Sequence, residues 1–475
     1  MKRSNRILAV AMGTVMGIGL LSACTDKGGD SKPAITVDNE TKYRAEQLAD
    51  NVFASYIDQE LWSLPKSDPD RELYVFSGYS QAGKSGEGSA SVWHYTSVYE
   101  LANRMYALFK DDEKGKVYKQ WISDLYDGLE WYQGTGTMVE FTGVSERTVY
   151  GVNRSTRGKN EAVVDGDKNV YDDQMWLLRE MLESYKLTGE SKYLERAEYL
   201  ANYCLAGWDC SLDADGNEYG GILWGPAYTG RHTCSNGPII SPLVWLYEVY
   251  KDSDETIVYK HQDRLRNVKS ETMKKSDYYL MFAKKVYNYT MTNLKKPNDL
   301  FYDSRGYEVG YYEVEGTTQL KYSIRDKADF DHNSLTYNSG TPLSGAVDLY
   351  RVTGDQIYLE QAKKIAAAAY DFFGDKTFME GIVRYPTHSI TTWFNFVLYR
   401  GYNDLYSVCP TETTREYVDS YRNLINYAYE NYYRDGFMPR DLAGGWHVGY
   451  ENDKVTSVMD ASAAAQTMAL SALIK

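Results

Sequence analysis

The chain has 475 residues, of which 43% are hydrophobic and 25% are charged, and its formal net charge is -14. This composition is that of a globular protein with enough apolar material for a large core. A strongly acidic protein lacks the positive surface that releases counterions from a polyanion, which argues against a nucleic-acid partner. The net charge carries no information about the fold.

The first residues are typical of an export signal. Lys2, Arg3 and Arg6 form a basic region, and the apolar run ILAVAMGTVMGIGLL follows. The run is too short and wrongly flanked for an ordinary membrane span, so residues 1–23 are predicted to be a signal peptide. LSAC, which ends at Cys24, resembles the lipobox of bacterial lipoproteins, in which this cysteine carries the lipid. A plain secretion signal with an incidental cysteine is the alternative.

The segment after the signal predicts how the protein is attached. Residues 24–40, which contain TDKGGDSKPA, are predicted to be a flexible tether that begins at the lipidated cysteine. Asp26 resembles the acidic export signal of some surface lipoproteins. We therefore expect an outer membrane lipoprotein. The sequence leaves open whether it lies on the cell-surface face or the periplasmic face of that membrane. No proline-rich linker divides the rest, so residues 41–475 are predicted to form one domain.

From about residue 40 the chain has the pattern of amphipathic helices joined by short polar or glycine-rich loops. Apolar side chains recur at about 3.6-residue spacing in SVWHYTSVYELANRMYALF, QMWLLREMLESYKL and YLEQAKKIAAAAYDFF. Segments 184–204 and 349–369 echo each other, because in each a helix ends at Thr-Gly and a second starts around Tyr-Leu-Glu. Gly189 and Gly354 are natural C-caps. Repeated helical hairpins predict a solenoid or a closed helical toroid.

One segment matches a nucleotide-binding motif. GYSQAGKS, residues 78–85, fits the P-loop pattern, in which Gly83, Lys84 and Ser85 would hold phosphates and Mg²⁺. A P-loop opens directly into a helix, whereas further glycines follow here in GEGSAS. We interpret the match as fortuitous and the segment as a surface loop.

NVYDDQMWLLRE, residues 169–180, places Asp172 and Asp173 side by side where a helix begins. In the structural interpretation, a carboxylate near the N-cap gains from free backbone N–H groups and from the helix dipole. In the catalytic one, the pair serves a retaining glycosidase, which needs two carboxyl groups about 5 Å apart. Repulsion between them would keep one protonated near neutral pH. These residues alone leave both interpretations open.

Later segments predict rim loops, an insertion and an inner helix. DGNEYGGILW and YDSRGYEVGYYEVEG are expected to be hairpins or long loops at one rim. Residues 252–276 are polar and charged, and we expect an inserted loop or helix. The small apolar stretch DASAAAQTMALSALI predicts a tightly packed inner helix. Four cysteines fit neither a disulfide framework nor a zinc spacing and are expected to be buried thiols: Cys204, Cys210, Cys234 and Cys409.

Aromatic residues are abundant, with 45 Tyr and 10 Trp. Trp176, Trp224, Trp393 and Trp446 lie close to glycine-rich or polar segments such as YGGILWGPAYTG and LAGGWHVGY. Carbohydrate sites combine such rings, on which sugar faces stack, with polar groups that bind hydroxyls. The tyrosines inside helices are expected to belong to the core.

An ordered set of motifs resembles glycoside hydrolase family 76, the bacterial α-1,6-mannanases. The set runs YDDQMWLLREMLESYKLTGESKYLERA, GGILW, SNGPIISPLVWLYEVY, TYNSGTPLSGAVDLYRVTGD, GGW and SAAAQTMALSALI. The resemblance implies an all-α (α/α)6 toroid with a central cleft and a retaining, endo-acting mechanism without metal or other cofactor. It also implies that Asp172 is the nucleophile and Asp173 the acid/base. Tyr171 and the insertion at 252–276 depart from the family pattern, which leaves substrate length and subsite preference open.

The resemblance implies hydrolysis of α-1,6-mannosidic linkages in a mannan backbone, with mannan or manno-oligosaccharides as the partner. We expect a monomer that touches the membrane only through its lipid anchor. Position within the motifs predicts six substrate-binding residues: Trp224, Asn236, Asp331, Tyr337, Asn338 and Trp446. Two alternatives stay open, namely another glycosidase or transglycosylase on the same toroid, and a non-catalytic glycan-binding lipoprotein. The aspartate pair discriminates, because a binder does not need it.

Overall fold

Six helices stand side by side and close into an inner ring in the computed structural model of the protein. The structure describes residues 36–65, 67–68, 70–80, 84–85, 88–314, 318–387, 391–446 and 455–473. Each ring helix packs against the next, and the last packs against the first. In ring order they are α3 (Val92–Phe109), α5 (Tyr171–Thr188), α7 (Gly237–Tyr250), α9 (Thr336–Thr353), α11 (Thr391–Val408) and α13 (Val458–Ser471).

A second layer of six helices surrounds this ring, each paired with one inner helix. The outer helices are α1 (Asn39–Tyr56), α4 (Glu113–Gly128), α6 (Ser191–Ala206), α8 (Lys275–Tyr289), α10 (Gln356–Phe373) and α12 (Glu412–Tyr432). A short helix, α2 (Gln59–Ser63), follows α1. The architecture is the predicted all-α (α/α)6 toroid.

The burial pattern explains why each helix takes its layer. Every residue of α13 except Ala461 is buried, as the small apolar stretch in the sequence predicts for an inner helix. In α10 the buried positions recur every three or four residues, from Tyr358 to Phe373, as expected for a helix with one solvent face. Small residues let the inner helices approach closely: a Cβ on Gly340 of α9 would lie 2.6 Å from the Val397 carbonyl oxygen of α11.

The first and the last of the long helices that the structure describes meet where the toroid closes. The first long helix, α1, is the outer partner of α13, the last inner helix. The Asp38 N–H, just before α1, donates to the Ala472 carbonyl, just after α13, at 2.9 Å. Residues 32–475 form one compact unit, and α1 begins two residues before the predicted domain boundary at residue 41.

The predicted helix ends at the two echoing segments are confirmed. Gly189 and Gly354 both adopt the left-handed conformation, with φ of 73° and 71°. Their N–H groups donate to the carbonyls of Tyr185 and Tyr350 and so cap α5 and α9.

Antiparallel hairpins decorate the loops between helices. The strands are β1 (Gly78–Ser80), β2 (Lys84–Ser85), β3 (Gln133–Val139), β4 (Val144–Tyr150), β5 (Arg231–His232), β6 (Thr256–Gln262), β7 (Val268–Lys274), β8 (Ser304–Val314), β9 (Thr318–Asp331), β10 (Asp375–Met379), β11 (Ile382–Arg384) and β12 (Val455–Ser457). β8 and β9 form the predicted rim hairpin, and β5 extends it to three strands. The P-loop match falls on β1 and β2, which pair antiparallel, so it does not have the strand-to-helix form of that motif.

The prediction of a loop or helix for residues 252–276 is wrong. β6 and β7 pair in regular register from Thr256↔Lys274 to Gln262↔Val268. Charge dominates the composition, but β-branched and aromatic residues in TIVYKHQ favour a strand, and Tyr259 and Gln262 of this strand are buried.

Other predictions concern the cysteines and the N-terminus. Cys204, Cys210, Cys234 and Cys409 are all buried, and no disulfide joins them. Within the part of the chain that the structure describes, no helix is long and apolar enough to cross a membrane. Cys24, the predicted signal peptide and most of the tether lie outside the described residues.

Two glycine substitutions separate backbone strain from crowding. A Cβ on Gly189 meets nothing within 4 Å, so Gly189→Ala costs only the left-handed backbone strain, about 1 kcal/mol. Gly340→Ala drives a Cβ into the backbone of α11 and should cost about 3 kcal/mol or more. Denaturant unfolding measures both, and equal losses would contradict the close approach of α9 and α11.

Candidate active site

The aspartate pair lies in the first turn of α5. Val170 is the N-cap and makes no side-chain capping bond, so Asp172 and Asp173 are the second and third helical residues. The Asp172 Oδ1 accepts the Asp173 N–H at 2.9 Å, which satisfies one of the free donors of the turn. Asp173 is only 7% exposed, whereas Asp172 is half-buried. The helix terminus thus explains Asp172, and gives no reason to bury Asp173.

The two carboxyl groups differ in their affinity for a proton. Burial raises the pKa of Asp172 to about 6, and the Cys234 thiol and the Trp224 indole oppose that rise. Both groups favour the anion, and the Trp224 indole N–H is itself buried. Burial and the charge of Asp172 raise the pKa of Asp173 well above its ordinary value. Asp172 therefore ionises first, and Asp173 holds the proton at neutral pH.

The loop 222–236 carries one wall of the site. The Trp224 carbonyl accepts the Tyr171 N–H at 2.7 Å, which joins the loop to the start of α5. The Trp224 ring contacts the rings of Tyr228 and His232, at centroid distances of 4.5 and 4.8 Å. Asn236 is fully buried, and its amide bonds the backbone of Ile222 and of His232. The hydrogen bonds of Asn236 hold the loop in shape, and its predicted substrate contact stays a prediction.

A third carboxyl group joins the wall from the start of β8. The Asp303 Oδ1 accepts the Asn338 Nδ2 at 2.9 Å and lies 3.5 Å from the Tyr337 hydroxyl. Asp303 and Asp331 both act electrostatically on His232, whose burial lowers its pKa. Asp331 itself is exposed, and its Oδ1 accepts the Asn333 N–H. Tyr337 also contacts Cys234, so these groups reach the Asp172 side of the cleft.

Below the pair, tryptophans form the floor of the site. Trp176 follows Asp172 by four residues and Asp173 by three, so it lies on their face of α5, one turn deeper. Its ring packs edge-on against Trp393 of α11 at 4.6 Å. The Trp393 Nε1 donates to the Glu100 carboxylate at 3.1 Å, and Glu100 also pairs with the buried Arg400. Apolar rings beneath the pair exclude water and account for the raised pKa values.

The structure brings five of the six predicted binding residues to this end of the toroid: Trp224, Asn236, Asp331, Tyr337 and Asn338. Trp446 is half-buried, and its Nε1 donates to the Tyr432 carbonyl at 2.7 Å. Within the residues that the structure describes, Trp446 makes no hydrogen bond or ring contact with the pair. Its role stays a prediction.

Sequence reasoning missed Asp303, His232 and the contact of Cys234 with Asp172. Their signal was weak, because none lies beside the aspartates in the chain. The glycines and turn residues around TGRHTCSNG and FYDSRGY marked only loops.

An open cavity of about 400 Å³ adjoins the wall. It is lined by Gly230, Ser304, Arg305, Gly306, Asp329, Phe330, Asp331 and His332. It is large enough for sugar rings, and it includes the predicted binding residue Asp331. In the described part of the chain, no group of three or more His, Cys, Asp or Glu residues is placed to hold a metal ion.

Glycoside hydrolysis requires two carboxyl groups in different protonation states beside a surface that binds sugar rings. The first turn of α5 supplies the two carboxyl groups, the loop 222–236 places the half-buried Trp224 beside them, and the fold around them is a helical toroid. The protein is therefore of the glycoside hydrolase class. The model of glycosyl hydrolase family 76 matches residues 85–256 and 270–475, and the chain belongs to this family.

Solved structures share the fold. A family 76 glycoside hydrolase from a bovine Bacteroides thetaiotaomicron strain is 21% identical, with a TM-score of 0.66 over 91% of this chain and 77% of that one. A family 76 mannosidase from B. thetaiotaomicron VPI-5482 is 22% identical, with a TM-score of 0.63 over 91% and 98%. An α-1,6-mannanase of Salegentibacter sp. is 18% identical, with a TM-score of 0.61 over 92% and 100%. It is an inactive variant with two consecutive aspartates replaced by asparagine, in complex with α-1,6-mannotriose. A search of curated proteins finds no match.

The burial of Asp173 predicts a stability that depends on pH. Its folded pKa lies above the unfolded value, so ionisation opposes folding once the pH exceeds the unfolded pKa of about 4. Asp173→Asn should raise the free energy of unfolding at pH 7 by about 1–2 kcal/mol. The gain should vanish near pH 3.5, where Asp173 is protonated in both states. Denaturant titrations at both pH values measure this, with the exposed Asp167→Asn as control. An equal gain at both pH values would contradict the account.

Proposed function

We propose that the protein is a retaining, endo-acting hydrolase of α-1,6-mannosidic linkages in mannan backbones. The observation that carries the proposal is the pair of adjacent carboxyl groups, Asp172 and Asp173, in the first turn of α5, where burial raises the pKa of both and that of Asp173 more. A retaining mechanism needs an ionised nucleophile next to a protonated acid, and these two groups have those states at neutral pH.

The order of ionisation assigns the roles. Asp172, which the Cys234 thiol and the Trp224 indole favour as an anion, attacks the anomeric carbon. The bond from that carbon to the glycosidic oxygen breaks, and the Asp173 proton passes to the leaving oxygen. A covalent mannosyl–Asp172 ester results. Water, deprotonated by Asp173, then attacks the same carbon, which releases the sugar, restores the Asp172 carboxylate and returns the proton to Asp173.

The substrate follows from the family and from the wall of the cleft. The Salegentibacter α-1,6-mannanase was solved with α-1,6-mannotriose and with α-1,6-mannotetrose, as variants that lack two consecutive aspartates and are inactive. In this chain, the half-buried Trp224 offers a ring beside the nucleophile on which a mannosyl unit can stack. The exposed Asp331 offers a carboxylate to hydroxyl groups further along the cleft. The open cavity beside the wall leaves room for further sugar units, as an internal linkage needs.

Replacing either aspartate should abolish digestion of debranched α-1,6-mannan. Asp173→Ala should lose about 10²–10⁴-fold in kcat/KM, the usual contribution of a general acid. Its loss should be smaller on an aryl mannobioside with an activated leaving group, which needs no protonation. Asp172→Ala should lose activity on both substrates to the same extent. Chromatography of the products and the rate of phenol release measure these effects, with the exposed Asp167→Ala as control.

Two outcomes would contradict the mechanism. An inverted anomer as first product in NMR would exclude the double displacement, because retention requires two inversions. Polymer binding without cleavage by the wild type would favour the glycan-binding alternative. Transfer of mannosyl units to added sugar in preference to water would identify a transglycosylase.

We also propose that the protein is an outer membrane lipoprotein anchored through Cys24. The support is the basic and apolar leader followed by LSAC. Cys24→Ala should leave mannan digestion by the purified chain unchanged but shift the protein from the membrane to the soluble fraction. Metabolic labelling with a fatty acid should mark the wild type alone. Equal labelling of the variant would contradict the anchor.

A further inference from the structure

The β6–β7 hairpin is an addition to the family framework. The family match breaks between residues 256 and 270, and the two strands, Thr256–Gln262 and Val268–Lys274, span that break. The hairpin is inserted between α7 and α8, on the outside of the toroid. An insertion there is not required for closing the ring, so its contacts indicate what it does.

The hairpin runs along α8 from the base of the toroid towards the rim that carries the site. At its root, the Lys275 N–H at the start of α8 donates to the Glu255 carbonyl at 2.8 Å. Further along, the Tyr259 ring packs on Phe282 at 5.7 Å, two turns into the helix. The Lys285 ammonium, near the end of α8, lies 3.3 Å from the Tyr259 hydroxyl. These contacts fasten the hairpin to a rigid helix along its length.

At its far end the hairpin clamps two rim hairpins together. Gln262 is 2% exposed, and its Nε2 donates to the Phe141 carbonyl, in the β3–β4 turn, and to the Lys321 carbonyl of β9 at 2.9 Å. The Lys321 N–H in turn donates to the Glu140 carbonyl at 3.1 Å. Arg266, at the hairpin tip, stacks on the Tyr322 ring at 3.7 Å. β9 is thereby bonded to the β3–β4 turn and to the β6–β7 hairpin.

Lys321 carries the connection into the active site. Its side chain is buried, and its ammonium donates to the Pro226 carbonyl. Pro226 lies two residues after Trp224, in the loop that forms the wall beside Asp172. Burial lowers the pKa of Lys321 to about 8 and Glu140 opposes the shift, so the ammonium is charged at neutral pH. A charged donor makes a strong bond to a carbonyl in such surroundings.

We propose that the β6–β7 hairpin positions Trp224 for sugar binding, through Gln262, Lys321 and the Pro226 carbonyl. The inference rests on the proposed function, since it assigns Trp224 a mannosyl unit. Gln262 and Lys321 are positioning residues that touch neither substrate nor the aspartates. Because they hold the loop in its binding shape, the loop loses less conformational entropy when the sugar binds.

The test compares Gln262→Ala and Lys321→Met with the wild type and with Ser270→Ala, an exposed control on the same hairpin. Both variants should raise KM for α-1,6-mannotetraose by about tenfold, with kcat changed less than about twofold, because binding and not chemistry depends on loop order. Lys321→Arg should recover part of the loss. Amide exchange in peptides covering residues 222–232 should rise in both variants, since the Trp224 and Tyr228 N–H groups are protected by bonds within this loop.

The exchange measurement needs no substrate, so it separates this inference from the proposed function. Faster exchange without any mannan cleavage by the wild type would support the hairpin's positioning role but remove the mannosyl unit from Trp224. Unchanged exchange and unchanged KM in both variants would overturn the proposal. A fall in kcat at constant KM would also overturn it, because the effect would then lie on the aspartates.

Discussion

The arrangement rests on a single constraint: two carboxyl groups are held out of water at the start of one inner helix. Desolvation is unfavourable for charged groups and has to be offset locally. The Asp172 carboxylate is stabilised by the helix N-terminus, the Cys234 thiol and the Trp224 indole, which all favour the anion. Asp173 has no such partners and stays neutral. The difference between two adjacent residues of the same type is thus a difference in surroundings, which the toroid provides.

The inner ring of helices brings the floor and the walls of the site together around the start of α5. Helices α3, α5, α9 and α11 meet through the rings of Trp93, Trp176, Tyr337 and Trp393. Deeper in the ring, the Glu100 carboxylate accepts a hydrogen bond from Trp393 and pairs with Arg400, which ties α3 to α11. The walls come from loops that precede inner helices, and a backbone bond between Tyr171 and Trp224 fixes one wall to α5. Scaffold and site are therefore built from the same helix starts.

Helical periodicity and glycine caps made most of the fold predictable from sequence. The inner helix at the C-terminus and the caps at Gly189 and Gly354 follow from local chemistry, which acts within a few residues. The hairpin at 256–274 was missed because charge obscured a strand pattern whose inner face becomes visible only when Phe141 and Lys321 lie against it. Asp303 and His232 were missed because only contacts between loops distant in the chain bring them into the wall of the site. The aspartates themselves were recognisable because they are adjacent in the chain.

The closure of the ring has a consequence for how the chain acquires its structure. The inner helix α13 packs between α3 and α11, and α1 is its partner in the outer layer. During synthesis, the other five ring helices are made before α13. The gap between α3 and α11 therefore stays open until residues 458–471 have been made. Contacts of such long sequence separation are formed slowly. Closure of the ring, which completes the surroundings of the site, therefore depends on contacts between the two most distant parts of the domain.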